Sequence, residues 1–349
     1  MTFGKNTAFM AAFASAAWLM ACSNMFDVDA DRPLRAEQTS TSPGHPGGGD
    51  DAGANLDSGS GASDACPAGG CYVNPCNPGS HPVGGSCVAV VSISAGTRHA
   101  CRIKNDGSIS CWGNNGQGQI TSPAGTFQQV SAGYEHTCAM RDNASVACWG
   151  GNATGETAVV DGTYQEIAAG FQCTYALHLD ESVVSWGTGG GCEYPSPSDS
   201  YRQISTSVGN FGACGVRQNG TIGCWGDNGS GEGAPPSGVF RQVSAGSAFT
   251  CGVRQDGSLA CWGYSGDGIT TTPAGTFQQV SSGDRHACAV AQDGHVACWG
   301  SNGKNAATPP SGAFLQVSAG TNFTCGIRQD GTATCWGDDT DGQAPPSPP

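Results

Sequence analysis

Cys101-Arg102-Ile103-Lys104-Asn105-Asp106-Gly107-Ser108-Ile109-Ser110-Cys111-Trp112-Gly113 decides the fold. Asn105-Asp106-Gly107 suits a three-residue hairpin loop, a type I turn followed by glycine in the left-handed region. With that loop Lys104 faces Ser108, Ile103 faces Ile109 and Cys101 faces Cys111. Counting from the hydrogen-bonded closing pair, the cysteines occupy a non-hydrogen-bonded pair. There Cα atoms lie about 4.5 Å apart, near the lower end of the disulfide range. The hairpin is expected to be stapled across its own two strands.

The same ten-residue spacing recurs at Cys138 and Cys148, Cys214 and Cys224, Cys251 and Cys261, Cys288 and Cys298, and Cys325 and Cys335. The loops Gln218-Asn219-Gly220, Gln255-Asp256-Gly257, Gln292-Asp293-Gly294 and Gln329-Asp330-Gly331 repeat the turn chemistry. Six cross-strand disulfides are expected. One unit departs: Tyr175 and Ser185 fill the two cysteine places, and Cys173 is expected to pair with Cys192 in a longer loop. Trp112, Trp149, Trp186, Trp225, Trp262, Trp299 and Trp336 each precede glycine at spacings of 37, 37, 39, 37, 37 and 37 residues. Seven copies of one unit, with no helical period, mark a repeat architecture.

Alternation puts Cys101, Ile103, Ile109 and Cys111 on one face of the hairpin and Trp112 on the other. Both faces are apolar and both need cover. A ring of blades supplies it and leaves no long sheet edge exposed. The fold class is therefore all-β: a seven-bladed, disulfide-stapled β-propeller over residues 88–349. An open solenoid is the alternative, but it needs polar end caps, and the terminal repeats look like the others.

Ser131-Ala132-Gly133-Tyr134-Glu135-His136-Thr137-Cys138-Ala139 and Cys148-Trp149-Gly150-Gly151-Asn152 resemble the regulator of chromosome condensation repeat. The resemblance covers all seven units and implies a seven-bladed propeller. The units are short, as in the bacterial propellers of this superfamily, which implies three strands per blade. It also implies a mode of action, in which loops on one face form a broad protein-binding surface. The family's nucleotide exchange on a small nuclear GTPase and its nucleosome binding are not carried over, because this chain reads as exported and acidic.

Export is read from the N-terminus. Lys5 is the lone charge of the first 21 residues, and the apolar run Thr7 to Ala21 fits a signal sequence better than a membrane span. Leu19-Met20-Ala21-Cys22 resembles a bacterial lipobox, which implies lipidation of Cys22. Of 19 cysteines, removing Cys22 leaves an even 18. Ser23 implies sorting to the outer membrane, with the protein facing the periplasm or the outside. The expected domains are a signal peptide (1–21), a lipidated Ser/Gly/Asp tether (22–64), a Cys-rich module (65–87) and the propeller (88–349). Residues 22–64 hold too few large apolar groups to fold. Cys66, Cys71, Cys76 and Cys87 allow three pairings, among which sequence does not choose. So many cysteines without a C-x-x-C pair indicate disulfides in an oxidising compartment, not metal clusters.

The net charge of −14 disfavours nucleic acid and anionic lipid, leaving the lipid anchor as the membrane contact. No G-x-S-x-G, H-E-x-x-H or P-loop occurs. The chain is expected to be a monomer with no catalytic residue, cofactor or metal. The loops after each Ala/Ser-Gly turn differ between repeats. Arg98, Tyr134, Glu135, Phe171, Gln172, Asn210, Phe211, Asp284, Arg285 and Asn322 lie on them and form the candidate binding rim, with an envelope or extracellular protein as the expected partner. A glycan-binding propeller and a passive envelope scaffold are the alternatives. A hydrolase or lyase built across the channel ranks below them. His99, His136 and His286 share a place that Phe249 and Phe323 fill elsewhere, which points to packing and not to a metal ring. Asp338-Asp339-Thr340-Asp341-Gly342 lacks the spacing and distal Glu of a calcium loop.

Overall fold

The hairpin loops set the strand ends. Gly107, Gly220, Gly257, Gly294 and Gly331 have φ between 78° and 86°, the left-handed place in each loop. Lys104 N–H donates to Ser108 O and Gly107 N–H to Lys104 O, closing the turn. The Asp106 carboxylate accepts from the Ser108 backbone N–H and from its hydroxyl. In two repeats a side chain bears the same conformation, Ala144 at 64° and Glu181 at 71°, at the cost such residues carry there.

A computed structural model describes residues 80–83, 86–89, 92–188, 192, 198–209, 212–345 and 347–349. Cys22, Cys66, Cys71, Cys76, Asn210 and Phe211 lie outside the described residues. A short hairpin, β1 (Ser80–Val83) and β2 (Ser86–Ala89), precedes the ring and contains Cys87. Seven antiparallel three-stranded sheets follow. Blade one is β3 (Ile93–Ala95), β4 (His99–Ile103) and β5 (Ile109–Gly113), and blade two is β6 (Phe127–Ala132), β7 (His136–Arg141) and β8 (Val146–Gly150). Blade three is β9 (Tyr164–Ala169), β10 (Thr174–His178) and β11 (Val183–Trp186), and blade four is β12 (Tyr201–Thr206), β13 (Gly212–Arg217) and β14 (Ile222–Gly226). Blade five is β15 (Phe240–Ala245), β16 (Phe249–Arg254) and β17 (Leu259–Gly263). Blade six is β18 (Phe277–Ser282), β19 (His286–Ala291) and β20 (Val296–Gly300), and blade seven is β21 (Phe314–Ala319), β22 (Phe323–Arg328) and β23 (Ala333–Gly337).

Within each blade the middle strand pairs with both others. Ile103 faces Ile109 and Cys101 faces Cys111. Six disulfides cross the outer hairpins with Cα separations of 4.0–4.1 Å. In blade three Cys173 is joined to Cys192, at a Cα separation of 5.5 Å.

Blades bury one another. Cys101, Ile103 and Ile109 of blade one pack on Phe127, Val130, Ala139 and Trp149 of blade two, so the cysteine face of one blade meets the tryptophan face of the next. The ring closes between blades seven and one. Ala95 N–H donates to Ser318 Oγ at 2.9 Å, and Trp112 Nε1–H donates to Gln343 O at 3.1 Å. Asp341 pairs with Arg98 at 2.8 Å. The Asp-rich segment after the last strand is thus part of the seam that fastens the ring. Among the described residues no helix is long and apolar enough to cross a membrane.

Candidate binding face and central channel

The seven inner strands surround a channel of about 420 Å³. Its walls carry a row of glutamines and serines among small apolar residues, for a reason visible in Phe127-Gln128-Gln129-Val130-Ser131-Ala132. The apolar side chains of this strand turn into the blade contacts, which leaves the second glutamine and the serine to reach the next blade. Gln129 Nε2–H donates to Ile167 O at 3.0 Å while its Oε1 accepts from Ile167 N–H at 2.9 Å. The carboxamide imitates a strand neighbour, donor for acceptor. Gln203, Gln242, Gln279 and Gln316 clamp Val243, Val280, Val317 and Ile93 in the same way. Ser131, Ser205, Ser244, Ser281 and Ser318 each add an oxygen that accepts a backbone N–H from the next blade.

Two joints depart from this. At the joint of blades one and two, Ser92 stands in the glutamine place and only the serine bond remains, from Ala132 N–H to Ser94 Oγ. At the joint of blades three and four, Glu166 replaces glutamine and Ala168 replaces serine. Glu166 is buried, and burial pushes its carboxyl up to about 8 against the Ile204 N–H, which favours the ionised form. These clamps are absent from the sequence reading. Their signal was the recurrence of glutamine at one place in five of seven units.

At one mouth of the channel the loops from inner to middle strand come together. The glycine opening each loop is required by close approach: a Cβ on Gly133 would stand 2.5 Å from Gly170 O and 2.8 Å from the His136 ring. Backbone bonds run from blade to blade here, Thr97 N–H to Gly133 O at 3.2 Å and Tyr134 N–H to Gly170 O at 2.9 Å. Arg98, Tyr134, Glu135, Phe171, Gln172, Asp284, Arg285 and Asn322 all lie on these loops. The rings of Tyr134 and Phe171 meet with centroids 4.5 Å apart and remain half-exposed. Arg98 and Arg285 are each bound by an acid of a neighbouring long loop, Asp341 and Asp267, at 2.8 and 2.7 Å. Glu135 and Asn322 are exposed.

The histidines sit beneath this face. Thr137 Oγ1 donates to Gln119 O, so it accepts from His99 Nε2–H, at 2.8 Å. His136 with Thr174 and His286 with Thr324 repeat the arrangement. Burial holds His99 down to about 3, and His136 and His286 to about 4, so all three are neutral inter-blade struts. Among the described residues no three His, Cys, Asp or Glu side chains gather as a metal site. The opposite face carries guanidinium groups over the aromatic that opens an inner strand. Arg141 covers Phe127, Arg254 covers Phe240 and Arg328 covers Phe314, at 4.7–4.8 Å.

A closed ring of seven three-stranded blades, with variable loops gathered at one mouth, defines a β-propeller of the loop-face type. Residues 90–119, 127–156, 240–269, 277–305 and 314–343 match the model of the regulator of chromosome condensation (RCC1) repeat, so five of the seven blades carry RCC1 repeats. The matched segments belong to repeats one, two, five, six and seven. The ectodomain of the Physcomitrella patens receptor kinase CR4 is similar at 26% identity, over 71% of this chain and 73% of that one, with a TM-score of 0.61. The CRINKLY WD40 ectodomain of the Arabidopsis thaliana receptor kinase ACR4 shares 24% identity, over 73% and 98% of the two chains, with a TM-score of 0.62. Prp20p of Saccharomyces cerevisiae, whose structure was described with its binding to Gsp1p and histones, shares the fold at 15% identity, over 62% and 73%, with a TM-score of 0.55. No curated protein matches the sequence.

Proposed function

We propose that this chain is a cell-envelope lipoprotein, anchored in the outer membrane through Cys22, whose propeller binds a protein on the loop face and catalyses no reaction. The observation that carries the binding reading is the Tyr134–Phe171 pair. Two aromatic rings are held against each other on the rim, half in water, by loops whose backbones are fixed to the neighbouring blade. Rigid, half-buried aromatics are the anchors that interfaces use, because little side-chain freedom is lost on binding. The RCC1-repeat fold and the protein binding named for Prp20p support the same reading. The repeat tryptophans, on the outer strand of each blade, pack between blades, and among the described residues the rim loops share no repeated aromatic and acid pocket, which sets this face apart from a glycan reader.

The test is affinity capture from envelope and secreted proteins of the source organism, using the oxidised protein as bait. The Tyr134→Ala, Phe171→Ala, Arg285→Ala triple variant is the control. A protein retained by the wild type and released by the variant is the expected result. A partner held equally by both moves the site away from this rim, and an empty bait removes the protein-partner reading. Replacing Cys22 with Ser is expected to free the chain from the membrane fraction, and continued retention would remove the anchor.

A further inference from the structure

Five joints of the ring are closed by a glutamine that both gives and accepts a hydrogen bond. At the joint of blades three and four Glu166 stands in that place, and its Oε2 accepts from Ile204 N–H at 2.8 Å, as the glutamine oxygens do. A carboxylate has no donor for the second bond, whereas a carboxylic acid has one. The joint has no second clamp, since Ala168 has no oxygen to offer β12. Within the channel wall, Glu166 is the one titratable side chain among the described residues.

We propose that Glu166 is a proton-operated latch between blades three and four. With its proton it reproduces the two-bond clamp of glutamine. Without it the acid keeps one bond, sets a buried charge beside the Ile204 carbonyl and loosens this joint. The latch lies beneath the loop that carries Phe171, and the inference stands whatever that face binds.

The groups around Glu166 leave its proton to the environment of the channel. On β9 itself Tyr164 lies at the far end. β6 carries no titratable residue, and β7 carries His136, held neutral, and Arg141, which sits over Phe127. β10 carries Tyr175 and His178. β12 carries Tyr201 and Arg202, the latter committed to Phe240 O. Burial and the Ile204 N–H govern the carboxyl, and none of these charges enters. The sign follows. The folded carboxyl titrates near 8 and the free one near 4.5, so the folded state holds the extra proton between them. The contribution is complete below 4.5 and is lost as pH rises through 8.

Thermal unfolding of the oxidised protein and of Glu166→Gln between pH 4.5 and 9 tests this. The difference between the two is the readout, because the three buried histidines act in the opposite direction in the wild type and the variant alike. Midpoints are expected to coincide near pH 4.5, to separate by several degrees in favour of Glu166→Gln, and to stay apart above pH 8. Parallel curves overturn the latch. A second measurement needs no variant: hydrogen exchange at the Tyr201 amide, which donates across this joint to Glu181 O, relative to the Phe277 amide, which donates to Gly257 O across the joint of blades five and six. Protection of Tyr201 is expected to fall against Phe277 between pH 6 and pH 9, and a constant ratio overturns the proposal. Neither measurement involves a partner, so failure of the latch is separate from failure of the binding reading.

Discussion

Blades three and four are joined differently from blades five and six. Between five and six, Gln242 and Ser244 clamp the inner strands, each blade carries its cross-strand disulfide, and the cysteine face of one packs on the other. Between three and four both clamps are altered and the cross-strand disulfide of blade three is missing. Tyr175 takes the first cysteine place and meets Trp225 of blade four edge-on at 5.5 Å, with Tyr201 at 5.4 Å on the same indole. Burial pushes the Tyr175 phenol up to about 12, so it stays neutral in this cluster. One joint is held by paired clamps and a staple, the other by the single bonds Ile204 N–H to Glu166 and Tyr201 N–H to Glu181 O together with aromatic area. Aromatic packing is strong but tolerates sliding, whereas a donor–acceptor pair fixes register. The joint of blades three and four, beside the aromatic rim pair, is therefore more compliant than that of blades five and six.

The disulfides sharpen this contrast most. Replacing Cys251 and Cys261 with Ser opens a loop of about ten residues, and the chain-entropy model gives a loss of about 2.7 kcal/mol. Replacing Cys173 and Cys192 opens the longer loop of blade three, for about 3.3 kcal/mol on the same model. Urea unfolding is expected to rank the blade-three variant as the less stable. The reverse order would show that the aromatic cluster already holds that loop without its disulfide.

The histidine struts come next, and they divide the ring by pH. His286 titrates near 4 when folded and near 6.5 when free, so the unfolded chain takes up the proton first. The stability it gives is complete above 6.5 and is lost as pH falls through 4. Blades five and seven use Phe249 and Phe323 at this place, both buried. His286→Phe is therefore expected to be close to neutral at pH 7. At pH 5 it is expected to be more stable than the wild type by on the order of 2 kcal/mol, from the shift alone. A variant that loses stability at both pH values would show that the bond to Thr324 matters more than the charge.

These elements differ in how readable they were. The hairpins, their register and their cysteine pairing were legible because they depend on residues within about ten positions: a turn of fixed length and a period of two. The two apolar blade faces followed from the same alternation, and the ring followed from the need to cover both. The clamps were not legible. Gln129 reads as a solvated strand residue, since its partner Ile167 is 38 positions away. Glu166 reads as one more surface acid in an acidic chain. The rim loops could be located, because each follows the same Ser-Ala-Gly or its variant, but their contacts were hidden. Arg98 and Arg285 read as interface cations, and each is held by an aspartate of a neighbouring repeat, four residues after its Trp-Gly glycine, a pairing between blades that the pattern of a single repeat does not show.

The smallest change bears most directly on the comparison. Ala168→Ser restores, at the joint of blades three and four, the oxygen that Ser131 presents to Ala169 N–H at 2.9 Å one joint earlier. The site is buried, and Thr206 stands where Ala169 and Ala245 stand at the neighbouring joints. One neutral hydrogen bond made in such a place is worth about 1 kcal/mol. The same substitution leaves Glu166 unchanged, so it separates two explanations of the compliant joint. If the missing serine bond is what loosens it, Ala168→Ser raises the unfolding midpoint at every pH by the same amount. If the acid alone governs the joint, the added hydroxyl gains little at low pH, where the latch is closed, and most above pH 8, where Glu166 has lost its proton. Midpoints measured at pH 5 and pH 9 distinguish the two.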